Sequence, residues 1–172
     1  MNTTIESGEA NRSAKGSGLL FRLRTILAPV DFSADSAKAL NYVRAFAAQF
    51  EADVVLVHVV EPAIIPDNFG IVPPSYEEIG GALVKAAEER LKRLANEVAP
   101  RPGAVQWMVR TGRAPGEIVR VAGEVKADLI IITTHGYTGL KHVLMGSTAE
   151  LIVRHAPCPV LTVRDPEHDF VS

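Results

Sequence analysis

Apolar positions along this chain follow two rhythms: short unbroken runs, and longer stretches in which they recur every three or four residues. Thr25-Ile-Leu-Ala-Pro-Val30, Asp53 to Val60, Ala104 to Arg110, Leu129-Ile-Ile-Ile-Thr133 and Pro159 to Val163 are of the first kind. Near-continuous hydrophobicity over so few residues is the pattern of strands covered on both faces, as in a parallel sheet. Between the runs, Ala37, Leu40, Val43 and Ala47 fall on one helical face, as do Ile79, Leu83, Ala87, Leu91, Leu94 and Val98, and then Ile118, Val121, Ala122 and Val125. Gly146 to Arg154 completes the set, so five strands alternate with four helices. Trp107, on the third strand, is expected in the core.

The ends of these helices are marked by their own chemistry. Ser33 is placed to cap the first helix, with Asp35 in its first turn. Ser75-Tyr-Glu-Glu78 has the spacing of a capping box, in which each side chain takes the other residue's free backbone N–H. Proline is tolerated in a first helical turn, so Ala114-Pro115 can open a helix, whereas Pro100-Arg-Pro-Gly103 and Pro157 stop the preceding ones. Strands alternating with helices predict an α/β fold, a doubly wound parallel sheet with helices on both faces and right-handed crossovers. Residues 1–20 are polar and Gly/Ser-rich and read as a flexible tail, 21–165 as one α/β domain, and 166–172 as a second polar tail.

Charge narrows the partners. Eighteen Lys and Arg stand against 20 Asp and Glu, a formal net charge of −2, and the basic residues are scattered rather than clustered. Nucleic acid and anionic membrane are therefore not expected partners. The single cysteine, Cys158, excludes an internal disulfide and a multi-thiolate zinc site, and reads as a small packing residue. With no basic start and apolar stretch of 7–15 residues at the N-terminus, a cytoplasmic location is expected.

In open sheets of this kind, ligands bind beyond the carboxyl ends of the strands, where the winding reverses. Two strand ends carry unusual sequence. The first ends Ala28-Pro-Val-Asp31, placing an acid there; the fourth runs into Thr133-Thr-His-Gly136 and, after Gly139, into Gly146-Ser-Thr148 at the head of a helix. A helix start of small and hydroxylated residues offers free N–H groups and a positive dipole end, which suit a phosphate. Turns and helix caps use glycine equally, so the structural reading stands beside it. His58, inside an apolar run, reads as a hydrogen-bonded buried histidine rather than a base, and His135, His142 and His155 lack the spacing of a metal site.

Thr133-x-x-Gly136, nine residues, then Gly146-Ser147, resembles the G-x-x-G-(nine residues)-G-(S/T) signature of the universal stress protein family, with Thr133 in place of the first glycine. The opening Ile26-Leu-Ala-Pro-Val-Asp-Phe-Ser33, the Leu56-Val-His-Val59 run, the stretch from Val109 to Ile118 with Gly112, and the ending Ala149 to Val163 are similar to the family in order and spacing. The resemblance implies five parallel strands in the order 3-2-1-4-5, a homodimer, and a pocket for ATP, with Mg²⁺, between strands one and four. Carried over by residue, it implies that Pro29, Val30, Asp31 and Val59 line the adenine and ribose end, and that Thr133, His135, Gly136, Gly146, Ser147 and Thr148 hold ribose and phosphates. Dimer contact is expected along the edge strand Pro159 to Val163. No G-x-x-x-x-G-K-(S/T) stretch and no nucleophile paired with a base is visible, so a nucleotide-dependent regulator, at most a slow ATPase, is expected rather than an efficient enzyme. An interaction module of the same fold that binds no nucleotide is the alternative; a flavin or nucleotide-transfer protein is a more distant one.

Overall fold

The computed structural model describes residues 22–61, 76–134 and 145–164, with the side chains of 76–79 excepted. In chain order the elements are β1 (Thr25–Pro29), α1 (Ala34–Phe50), β2 (Asp53–Val60), α2 (Tyr76–Val98), β3 (Val105–Thr111), α3 (Ala114–Glu124), β4 (Leu129–Thr133), α4 (Ser147–His155) and β5 (Val160–Val163). All strand pairs are parallel, and the sheet order is β3-β2-β1-β4-β5. The chain thus winds outward one way from β1 through β3, then returns to β1's other side for β4 and β5. The reversal falls between β1 and β4, paired as Ile26 with Leu129 and Leu27 with Ile130.

Period-two alternation of the strands divides the core into two layers. Ile26, Ala28, Val54, Leu56 and Ile131 face α1 and α2, where they meet Val43, Ala47, Leu91, Ala95 and Val98. Leu27, Val55, Val57, Ile130 and Ile132 point the other way, onto Ile118, Val121 and Ala122 of α3 and Ile152 of α4. This is why the strands are apolar throughout. The first strand is anchored by Asp128, whose Oδ2 accepts from the amides of Arg24 at 2.8 Å and Thr25 at 3.0 Å.

Two expected core residues are not in the core. Leu83 is 48% exposed and Trp107 is 36% exposed. Trp107 lies on β3, which stands at the edge of the sheet formed by the described strands. For Leu83 the cause is length: 23 residues of α2 extend about 34 Å at 1.5 Å per residue, whereas the seven of β3 beside it reach about 23 Å. The amino-terminal part of α2 therefore overhangs the sheet, while Ala87, Leu91 and Val98 are buried as the pattern requires and Leu94 is partly buried. Ser75 of the expected capping box and the side chain of Ile79 lie outside the described residues.

Candidate functional site

At the carboxyl ends of β1, β2 and β4, a cavity of about 290 Å³ opens between the strand ends and the first turns of α3 and α4. That is near the lower bound of about 300 Å³ for small-molecule sites. Its wall includes Pro29, Val30 and Asp31 from the first strand end, His58, Val59 and Glu61 from the second, Thr133 and Thr134 from the fourth, and Gly146, Ser147 and Thr148. Eight of the ten residues singled out in the sequence thus meet around one space; His135 and Gly136 lie outside the described residues.

The first wall is a tightly held turn. Val30 N–H donates to the Val57 carbonyl at 2.8 Å, prolonging the β1–β2 ladder by a residue. Phe32 then adopts a left-handed backbone, with φ 62°, a costly conformation for a bulky side chain. That bend brings Ser33 back onto Asp31, whose Oδ1 accepts from Ser33 N–H at 3.0 Å and Ser33 Oγ–H at 2.6 Å. The Phe32 ring is gripped from two sides, with the Arg90 guanidinium carbon 4.0 Å from its centroid and the His58 ring 4.6 Å away. His58 Nδ1 lies 2.7 Å from the Val30 carbonyl, which can only accept, so Nδ1 carries the proton. His58 is therefore hydrogen-bonded as expected, but half-buried rather than buried, because it borders the cavity.

Three helices begin at or beside this space, and they are finished differently. In α1, Ser33 Oγ accepts from Ser36 N–H at 3.1 Å. In α3, whose cap residue Arg113 gives no side-chain bond, Glu61 Oε1 accepts from Ala114 N–H at 2.7 Å. For α4 the cap is Gly146 in an extended conformation, which has no side chain to give such a bond. The dipole and amides of that first turn border the cavity, beside the hydroxyl-bearing Ser147 and Thr148. Gly146 is fixed by backbone, not by torsion: its N–H donates to the Thr134 carbonyl at 2.7 Å, and a Cβ there would stand 3.0 Å from the same oxygen.

Thr133 closes β4 in register with Val163, and is not among the residues with positive φ. A β-branched residue is comfortable there, since the position asks for extended backbone. Sequence reasoning did not single out Glu61, Ala114 or Ile118 as wall residues. The signal for Glu61 was its position immediately after a buried strand; Ala114 and Ile118 enter only because α3 packs beside β2. The electrostatics are mildly acidic: the described wall residues include two carboxylates, Asp31 and Glu61, and neither lysine nor arginine. Among the described residues there is no group of three His, Cys, Asp or Glu able to hold a metal ion.

Residues 22–164 match the family model described as "Universal stress protein family". The chain belongs to that family. Universal stress protein MJ0531 of Methanocaldococcus jannaschii is 32% identical over 147 residues, spanning 85% of this chain and 85% of its own. From the same organism, universal stress protein MJ0577 is 29% identical over 153 residues, covering 82% of this chain and 94% of its own. Its solved structure aligns with a TM-score of 0.74 over 86% of this chain and 100% of that one. A universal stress protein from Archaeoglobus fulgidus, solved in complex with dAMP, shares the fold, with a TM-score of 0.56 at 21% identity over 81% of this chain and 96% of that one. No helix of this universal stress protein, among the described residues, is long and apolar enough to cross a membrane.

Proposed function

We propose that this universal stress protein binds an adenine nucleotide, ATP with Mg²⁺, in the cavity at the carboxyl ends of β1 and β4, and acts in the cytoplasm as a nucleotide-dependent regulator of the stress response. One observation carries the reading: α4, whose cap residue Gly146 has no side chain to close it, presents its amino terminus to a cavity placed at the reversal of the sheet, whereas among the described residues α1 and α3 are closed by Ser33 and Glu61. Backbone amides and a helix dipole suit a phosphate chain without a lysine. Family membership and the dAMP complex of the Archaeoglobus relative support the same ligand class.

In this reading, Pro29, Val30 and Val59 receive the base, Asp31 accepts from a ribose hydroxyl, and Gly146, Ser147 and Thr148 meet the phosphates, with Thr133, His135 and Gly136 alongside. Mg²⁺ would offset the repulsion between a polyphosphate and the two wall carboxylates. The phosphates are met by amides and hydroxyls, which position charge but supply no base for water, so any hydrolysis is slow. The domain is the folded stretch 21–165 between two tails, and the protein is a homodimer joined through its β5 edge.

Melting the purified protein with and without millimolar ATP and Mg²⁺ tests the ligand. Ligand at a hundred times Kd adds about 2.7 kcal/mol of stability, so a clear rise in melting temperature is expected. An unchanged melting temperature overturns the reading. It would favour a module acting only through protein contacts, the reading to which the acidic wall, without lysine among the described residues, otherwise lends weight.

A further inference from the structure

The hydroxyl of Ser33 does two things at once. As an acceptor it caps α1 by taking Ser36 N–H at 3.1 Å; as a donor it gives its proton to Asp31 Oδ1 at 2.6 Å. An amino-terminal cap needs only the first. The second has no consequence for the helix, but it binds a wall carboxylate of the cavity from behind, together with the Ser33 amide at 3.0 Å. The geometry exists because Phe32 is bent into the left-handed region, and the bend is held by Arg90 and His58 on its ring.

We propose that Ser33 is a positioning residue for ligand binding, orienting the Asp31 carboxylate on the cavity wall so that it meets the ligand's hydroxyl groups without reorganising. The inference rests on the nucleotide reading above and extends it to a residue outside the set that contacts the ligand. A carboxylate already fixed by two donors loses little rotational freedom when a hydroxyl docks on it, and preorganisation of this kind appears directly in affinity. Strain at Phe32 then has a use, since it brings donor and carboxylate together.

The test separates capping from positioning. Glycine is nearly as good as serine at the cap, so Ser33→Gly keeps the helix start but removes the donor to Asp31. Its melting temperature should stay close to that of the unaltered protein, while its Kd for ATP, measured by calorimetry, should rise by up to about tenfold, the cost of ordering the freed carboxylate on binding. Ser33→Thr, which restores the hydroxyl, should restore affinity. In nucleotide-free protein, the carboxyl carbon of Asp31 followed by NMR should titrate at higher pH in Ser33→Gly, because a hydrogen bond to the charged form is gone. Unchanged affinity together with an unchanged Asp31 titration would overturn the proposal. A native protein that binds no ATP would sink the nucleotide reading alone, and the Asp31 titration would still decide whether Ser33 orients the carboxylate.

Discussion

Gly146 and Thr134 meet backbone to backbone: the glycine N–H donates to the threonine carbonyl at 2.7 Å, and the place a Cβ would take lies 3.0 Å from that oxygen. The contact ties the head of α4 to the end of β4, so the two sides of the candidate phosphate site are held as one piece. A side chain at 146 must either push the strand end back or swing the helix start away. We predict that Gly146→Val abolishes ATP binding by calorimetry and lowers stability by about 1–3 kcal/mol, the usual cost of overpacking. Gly146→Ala should show the same effects more weakly. Retention of native ATP affinity in Gly146→Val would mean that the ligand sits elsewhere.

The overhang of α2 gives a contrast within one helix. Leu91 is fully buried against the sheet and Leu83 is 48% exposed, although both lie on the stripe that the sequence pattern assigns to the core. Leu91→Ala should cost about 2–5 kcal/mol in denaturant unfolding, whereas Leu83→Ala should stay within about 0.5 kcal/mol. Equal losses at the two sites would place Leu83 under cover.

Those same residues show how far the sequence can be read. β2 and β4 are predicted with the bounds observed, because unbroken valine and isoleucine runs between helix signals have one reading in a parallel sheet. Ser33 is legible as a cap for the same local reason. Leu83 and Trp107 are not, since periodicity tells which side of an element is apolar but not where the neighbouring element ends. At the candidate site, the rule that ligands lie beyond strand ends singles out Asp31 and the stretch after β4. It does not reveal that Glu61 reaches an amide 53 residues along the chain, or that Phe32 bends so that Ser33 returns to Asp31. Both depend on side-chain geometry between elements.

Cys158 is half-buried beside the α3–α4 layer, and its thiol is held above its ordinary pKa, first by burial and then by the charge of Asp128. Nucleophilic reactivity needs the thiolate. The rate of modification by a disulfide reagent should therefore reach half its maximum at higher pH than for a cysteine in a short peptide. By linkage, the raised folded-state value contributes stability that is fully present below the unfolded pKa and lost as pH rises through the folded one. Cys158→Ala should accordingly flatten any loss of stability on the alkaline side; fast reaction at neutral pH would show that the thiol is activated after all.

The β5 edge can be tested through its backbone alone. Ile130 N–H donates to the Pro159 carbonyl and Thr134 N–H to the Val163 carbonyl, so in this parallel ladder Leu161 and Val163 turn their N–H groups to β4, while Val160 and Thr162 turn theirs outward. Val163 is buried and Leu161 packs on the α1–α2 layer, which leaves the outward backbone row as the feature a second copy could pair with. Thr162→Pro removes one outward donor and no donor to β4, a substitution that edge strands accommodate. If the homodimer forms by pairing β5 with its counterpart, light scattering should show Thr162→Pro as a monomer at micromolar concentration, with the far-ultraviolet circular dichroism of the native fold. A dimer that survives this change is built on another face, because continuous pairing cannot tolerate a proline ring where an N–H is required.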